Sequence, residues 1–176
     1  MFAVTVIGQA PAPARTNEVF SLDSTKKGIW HLPEETPIAF VYNRQNYAVM
    51  LASPTDMVDF ALGFSLSERV INTAQDIQNL EIQYSEKGVE LFFKISPKRF
   101  QRLQLKTRRR NLAGSAGCGI CGLQSTDILF DKLLPIDGPP MAIDKTALQI
   151  AMQGFAALQP LHQSTKSVHG AAWVST

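Results

Sequence analysis

Apolar residues cluster along the first hundred positions in two pairs of runs, each pair separated by a short polar stretch. The runs 38–42 and 47–51 flank a polar stretch of four residues, which predicts a β-hairpin with buried strands. The runs 77–84 and 89–95 alternate apolar and polar residues around a four-residue turn, which predicts a second hairpin. This part of the chain therefore favours β-structure.

Helical signals follow the first hairpin. Ser53 and Pro54 supply a capping residue and a proline for the first helical position, and apolar residues recur after them at near-helical spacing. We therefore predict a helix over 54–68. Similar signals predict helices over 97–106, 125–134 and 144–158, the last with Asp144 near its start. The segment 166–174 is predicted to be a strand.

The remaining stretches show neither a helical nor a strand period. Residues 1–16 are rich in alanine and proline and are predicted to form an extended arm. Three arginines followed by small residues cannot form a buried element, so 108–122 is predicted to be an exposed loop at a domain boundary. The predicted order is the arm, an α+β domain over 17–107, this loop, and a second domain over 123–176.

The composition of the 176-residue chain is that of a globular protein, with 45% hydrophobic and 18% charged residues. Its net charge of +2 is too small to predict nucleic-acid binding. No apolar stretch approaches the roughly 18 residues of a membrane span, and no basic residue precedes the short apolar run at the start, so neither a span nor a secretory signal is predicted. Two cysteines so close together do not form a disulfide framework, and we expect a cytoplasmic location.

Cys118 and Cys121 form a Cys-x-x-Cys pair flanked by glycines, and this pair is the main candidate for chemistry. Glycine lets the backbone approach a bulky ligand closely, as a reactive loop requires. The arginines before the pair and the start of the helix predicted after it favour the thiolate, which is the nucleophilic form of cysteine. The sequence therefore predicts a reactive cysteine with a neighbour that can resolve it.

Other interpretations of the pair stay open. A zinc site would need two more ligands, and the chain offers only His31, His162 and His169 and no third cysteine. A thioredoxin-like dithiol would be expected after the first strand of a βαβ unit, whereas this pair lies deep in the chain. The cysteines could also be small buried hydrophobic residues, although glycine and arginine neighbours do not favour burial. No metal ligand is assigned.

Two further groups could bind an anion or move a proton. Arg108, Arg109 and Arg110 carry forked guanidinium groups that suit phosphate or pyrophosphate, although cations at a solvated helix end are the ordinary alternative. His169 could act as an acid, a base or a ligand contact, although a lone histidine near a strand is more often structural. These residues are candidate cofactor-binding groups.

Four segments of the chain resemble the formate dehydrogenase accessory sulfurtransferase family, the FdhD proteins. Each motif is short, but the four occur in the family's order, which makes the resemblance specific. The matching segments are Glu34 to Ala39, Asp59 to Phe64, Gly117 to Gly122, and Thr165 with Val168 to Ala172.

The resemblance implies a cytoplasmic sulfurtransferase that accepts sulfur from a cysteine desulfurase as a persulfide and delivers it to the molybdenum cofactor for formate dehydrogenase. By position, Cys118 would carry the persulfide and Cys121 would be its partner. The family also implies an α/β fold, in which an α+β N-terminal part precedes a partial cytidine-deaminase-like α/β domain. It further implies a homodimer that binds the bis-guanine-dinucleotide form of the cofactor as substrate. From charge and hydropathy, we expect no nucleic-acid or membrane partner.

The chain departs from the family pattern in two places. The family usually has a glycine pair where this chain has Lys166 and Ser167, which affects how closely a ligand can approach. Family members also continue past residue 176, so we expect a C-terminally shortened chain. Such a chain is expected to keep the cysteines but to lose cofactor binding. The alternatives to sulfur transfer are a non-catalytic scaffold that binds cofactor or apo-dehydrogenase, and a zinc-binding module.

Overall fold

A computed structural model describes residues 2–20, 27–110 and 144–172, with the backbone alone for 105–110. In chain order, the regular elements are β1 (Ala3–Ile7), β2 (Ala14–Phe20), β3 (Lys27–Pro33), β4 (Thr36–Tyr42), β5 (Gln45–Ala52), α1 (Met57–Ser67), a 3-10 helix (Ala74–Asp76), β6 (Ile77–Ser85), β7 (Gly88–Ile95), α2 (Pro97–Arg110), α3 (Lys145–Phe155), a second 3-10 helix (Ala156–Leu158) and α4 (Pro160–Thr165).

The described residues form two compact units whose segments interleave along the chain. The first unit holds β1, β4 to β7, α1 and α2, and the second holds β2, β3, α3 and α4. Helices combined with a five-stranded mixed sheet confirm the predicted α/β class. Most of the predicted loop 108–122 and about half of the predicted domain 123–176, including the helix over 125–134, lie outside the described residues and stay predictions.

The first unit is built on a sheet with the strand order β1-β6-β7-β4-β5. β6 and β7 pair antiparallel, whereas β1 pairs with β6 and β4 pairs with β7 in parallel. β4 and β5 are neighbours joined by the turn Asn43-Arg44. Both predicted hairpins are therefore confirmed, but burial was predicted correctly only for β4, because much of β5 is exposed.

The turn between β6 and β7 depends on Gly88. This residue has a φ of +132°, and a Cβ there would collide with the carbonyl oxygen of Pro37 on β4. Glycine alone combines this backbone conformation with so close an approach. The turn thus contributes to holding β7 against β4.

Aromatic side chains attach α1 to the sheet. The ring of Phe40 on β4 lies 4.0 Å from the ring of Phe64 and 5.4 Å from that of Phe60, both on α1. Phe93 on β7 stacks against Tyr42, with ring centroids 4.5 Å apart. Such pairs contribute about 0.5–1.5 kcal/mol each beyond the apolar area that they bury. This aromatic cluster is the centre of the first unit's core.

α1 begins later than predicted. Its first residue is Met57, and Asp56 before it adopts a left-handed conformation with a φ of +53°. Ser53 and Thr55 instead form a turn, in which the Thr55 N–H donates to the Ser53 carbonyl at 2.8 Å. The predicted capping signal therefore shapes the turn before the helix rather than the helix start.

The second unit contains the antiparallel pair β2 and β3, and α4 packs against β3. Arg15 on β2 donates from Nη2 to Glu34 Oε1 at 2.8 Å just beyond β3. α3 starts as predicted, because the Asp144 side chain accepts the Thr146 N–H at 3.0 Å. Across the described ranges, no helix is both long and apolar enough to cross a membrane.

The structure corrects three further expectations. The predicted arm 1–16 contains β1, an edge strand whose residues are all exposed, and the first three residues of β2. α2 continues to Arg110, beyond the predicted end at 106. The strand predicted over 166–174 is wrong for 166–172, which adopt no regular secondary structure after α4.

A hydrogen-bonded pair lies inside the core of the first unit. Tyr42 Oη and Ser65 Oγ are 2.7 Å apart and both residues are fully buried. Ser65 Oγ also lies 2.6 Å from the Ala61 carbonyl oxygen, which can only accept. Ser65 therefore donates to Ala61, and Tyr42 donates to Ser65. Burial raises the pKa of Tyr42 well above its ordinary value, and the charge of Glu68 raises it further, although the Ser65 hydrogen bond opposes both.

We expect Ser65→Ala to lower the free energy of unfolding by about 1–3 kcal/mol, because the buried Tyr42 hydroxyl loses its acceptor. Adding Tyr42→Phe should recover part of that loss, since the unsatisfied donor is then removed. Urea unfolding of both single variants and the double variant measures the coupling. Strictly additive effects would contradict this donor assignment.

Candidate functional site

The predicted site residues differ in how much of them the structure describes. Cys118 and Cys121 lie outside the described residues, so their roles stay predictions. Arg108 to Arg110 are the last residues of α2, and their backbone alone is described, so the helix extends into the predicted loop. His169 is exposed and follows α4. Of these predicted site residues, His169 is the one whose side chain the structure describes.

An ion pair joins the start of α2 to Asp76, the residue directly before β6. Arg99 Nε lies 3.1 Å from Asp76 Oδ2, and the same oxygen accepts the N–H groups of Asn72 at 2.8 Å and Thr73 at 3.1 Å. Partial burial acts to raise the pKa of Asp76, but these hydrogen bonds and the Arg99 charge together hold it below its ordinary value. An ionised Asp76 therefore fixes the base of the helix that leads to the arginines.

α2 is strongly basic. Half of its residues are Lys or Arg, and none is Asp or Glu. Lys98 and Arg102 are exposed one turn apart, while Leu103 is buried in the core. A helix of this composition attracts anions such as phosphate groups, and the guanidinium group can bind them through two hydrogen bonds.

A compact turn over residues 165–170, called here the His turn, carries His169. Thr165 is fully buried and donates from Oγ1 to the Leu161 carbonyl at 2.8 Å. Ser167 donates from Oγ to the Thr165 carbonyl at 2.8 Å. His162 Nδ1 lies 2.6 Å from the carbonyl oxygen of Val168. Side-chain hydrogen bonds thus replace the predicted strand ladder in this segment.

Two residues of the His turn adopt or require special geometry. Lys166 ends α4 in the left-handed region, with a φ of +58°, a conformation that favours glycine. At Gly170, a Cβ would lie 2.7 Å from Oε1 of Gln159, so the backbone there packs closely on that side chain. A glycine would adopt the Lys166 conformation without strain.

In the first unit, the basic helix α2 can attract anions. In the second unit, the exposed imidazole of His169 can donate or accept a hydrogen bond. Within the described ranges, no group of three or more His, Cys, Asp or Glu side chains is placed to hold a metal ion. The zinc alternative for the cysteines stays open, since both lie outside those ranges.

Sequence reasoning missed the roles of Asp76 and His162. The spacing of Thr73 and Asp76 is that of a capping box, a signal that could have indicated a structural carboxylate before β6. His162 was considered only as a metal ligand. No sequence signal shows that its partner is a backbone carbonyl within the predicted strand.

Comparison with known proteins shows a consistent likeness. The FdhD/NarQ family model matches residues 33–176. The chain is 42% identical, over 139 residues, to the Sulfur carrier protein FdhD of Xanthomonas euvesicatoria pv. vesicatoria (strain 85-10), a match that covers 79% of this chain and 48% of the relative. It is 38% identical, over 172 residues, to the Sulfur carrier protein FdhD of Cupriavidus necator, which covers 95% of this chain and 58% of the relative. The chain spans about half the length of the curated relatives it matches.

The fold also resembles a solved structure from Desulfotalea psychrophila that is described as a formate dehydrogenase accessory protein. The TM-score is 0.55 at 14% sequence identity, and the match covers 87% of this chain and 52% of the other. At this identity, the likeness supports the fold alone.

We expect Asp76→Asn to lower stability at pH 7 by about 1 kcal/mol, after allowance for solvent screening, because the charge opposite Arg99 is lost. The folded-state pKa of Asp76 is depressed, so its contribution is full above its unfolded-state pKa of about 3.9 and is lost as the pH falls through the folded-state value. Urea unfolding between pH 3 and pH 7 should therefore show the two proteins converging at the acid end. A constant difference across that range would exclude the charge as its cause.

We expect Lys166→Gly to raise the free energy of unfolding by about 1 kcal/mol, because glycine adopts the left-handed conformation without strain. Lys166→Ala is the matched control: it removes the charge but keeps the strain, and should not stabilise. Ser167→Gly should not stabilise either, since it loses the hydrogen bond to Thr165. Thermal unfolding compares the variants, and equal stabilisation by glycine at both positions would argue against a local effect at Lys166.

Proposed function

Because this chain belongs to the FdhD/NarQ family, we propose that it acts as a sulfur carrier in the maturation of formate dehydrogenase. The observation that carries the proposal is the match of the family model over residues 33–176, a range that includes both cysteines. The 42% identity to a Sulfur carrier protein FdhD supports it further.

In the proposed reaction, the Cys118 thiolate attacks the outer sulfur of a persulfide on a cysteine desulfurase. A new S–S bond forms on Cys118, the S–S bond of the donor breaks, and the desulfurase cysteine leaves as a thiolate. Cys118 then holds the sulfane sulfur. The Cys121 thiolate attacks the inner sulfur of this persulfide, so that a disulfide forms between the two cysteines and the outer sulfur leaves as hydrosulfide to bind the molybdenum cofactor, which is a substrate here. Cys121 is the neighbouring thiol that can resolve the persulfide.

The proposed substrate is the bis-guanine-dinucleotide form of the molybdenum cofactor, which carries pyrophosphate groups. The basic composition of α2 supports an anionic substrate, and its last residues are Arg108 to Arg110. In the proposal these arginines and His169 contact the phosphates. Guanidinium groups suit phosphate because they offer two parallel hydrogen bonds.

The proposed partners are a cytoplasmic cysteine desulfurase, formate dehydrogenase and a second copy of this chain. Exposed apolar side chains on the edge strand β5 support an uncovered surface available to a partner: Val49 is 67% exposed and Leu51 is 62% exposed. The dimer and the location in the cytoplasm follow from the family resemblance.

We expect mass spectrometry to find an added sulfur atom on Cys118 after incubation with a cysteine desulfurase and cysteine. Cys118→Ala should abolish this loading, because the attacking thiolate is absent, whereas Cys121→Ala should still accept sulfur. Equal loading of wild type and Cys118→Ala would exclude Cys118 as the carrier.

A complementation assay separates sulfur transfer from a scaffold role. Cells that depend on this chain for formate dehydrogenase activity should lose that activity with the double variant Cys118→Ala, Cys121→Ala. Retained activity would favour the non-catalytic scaffold, and stoichiometric zinc on the purified wild-type protein would favour the metal module.

A further inference from the structure

His162 makes a hydrogen bond that reaches across the His turn. Its Nδ1 lies 2.6 Å from the carbonyl oxygen of Val168, the residue directly before His169. A carbonyl oxygen can only accept, so Nδ1 carries the hydrogen in this contact. The bond joins the middle of α4 to the backbone that presents His169.

The backbone over 166–172 depends on such contacts because it forms no regular secondary structure. Lys166 reverses the chain direction at the end of α4 through its left-handed conformation. Thr165 fixes the near end of the turn by its buried hydrogen bond to Leu161, and Gly170 packs on Gln159 at the far end. Between these two ends, the His162 bond holds the peptide next to His169.

We propose that His162 is a positioning residue that sets the direction of the His169 imidazole toward the anionic substrate. This inference rests on the proposed function, in which His169 contacts the phosphates of the guanine dinucleotide. His162 is half-buried and bonded to the Val168 carbonyl, whereas His169 is exposed, so the two histidines have different surroundings. His162 holds the peptide, and His169 meets the ligand.

The side chains of asparagine and glutamine provide a matched pair of substitutions. The Asn amide nitrogen lies close to the position of His Nδ1, so His162→Asn can still donate to Val168. The Gln amide nitrogen lies nearer to the position of His Nε2, so His162→Gln keeps a polar amide but misplaces the donor. The comparison therefore tests the donor position at nearly constant polarity.

The first measurement uses nitrogen NMR of the histidine rings in the full 176-residue chain without ligand. Wild-type His162 should carry its hydrogen on Nδ1. The His169 ring signals should shift in His162→Gln and stay near their wild-type positions in His162→Asn. A His162 ring protonated only on Nε2, or His169 signals that are the same in all three proteins, would overturn the positioning role.

The second measurement is the affinity for guanosine diphosphate, the nucleotide portion of the proposed substrate. His162→Gln and His169→Ala should each weaken binding by roughly tenfold, the effect of one hydrogen bond, whereas His162→Asn should stay within about twofold of wild type. The double variant His162→Gln, His169→Ala should bind no more weakly than His169→Ala alone, since His162 acts through His169. Additive losses would overturn the inference.

The two measurements separate this inference from the proposed function. If wild type does not bind guanosine diphosphate, the proposed nucleotide substrate fails, and the inference that His169 is aimed at it fails with it. The NMR comparison still decides whether His162 orients His169. If wild type binds guanosine diphosphate while His162→Asn and His162→Gln lose affinity equally, the proposed nucleotide substrate is supported and the positioning role of His162 is overturned. Thermal unfolding of each variant shows whether the fold is retained.

Discussion

The parallel contact between β4 and β7 holds the first unit together, because within the described residues it links one hairpin to the other. Asn43 extends this contact past the end of β4: its side chain donates to the Ile95 carbonyl at 3.1 Å and accepts the Ile95 N–H at 2.9 Å. A parallel pair needs a crossover connection, and α1 lies within it. α1 can then pack the half-buried Phe60 and Phe64 against the buried Phe40, so the aromatic core depends on the strand order.

Local patterns in the sequence predicted much of this unit. Both hairpins were visible because their strands are adjacent in the chain and their turns are short. The parallel pairs were not, because β1 pairs with β6 at Asn79 to Gln83, far along the sequence. Local periodicity contains no information about which distant strands become neighbours.

The candidate site likewise has residues that the sequence predicts and a local geometry that it does not. The reactive cysteines and the arginines were proposed from residue chemistry and family likeness, because a Cys-x-x-Cys pair and a run of guanidinium groups have few common uses. The geometry of the His turn could not be predicted, since apolar residues such as Val168 and Ala171 suggested a strand. The hydrogen bonds of Thr165 and His162 instead satisfy the carbonyls of Leu161 and Val168 locally, which leaves this segment without a ladder partner among the described residues.

Lys166 shows how local hydrogen bonds can hold a backbone conformation that favours glycine. A lysine at a left-handed position is strained by about 1–2 kcal/mol relative to glycine, so the turn keeps this path only because contacts on both sides of it hold the chain. That conformation, which glycine adopts without strain, is held here by the hydrogen bonds of Thr165, Ser167 and His162. Lys166 also places an exposed cation three residues before His169, where the end of α4 favours positive charge. The lysine thus strains the turn and adds a positive charge that attracts an anion.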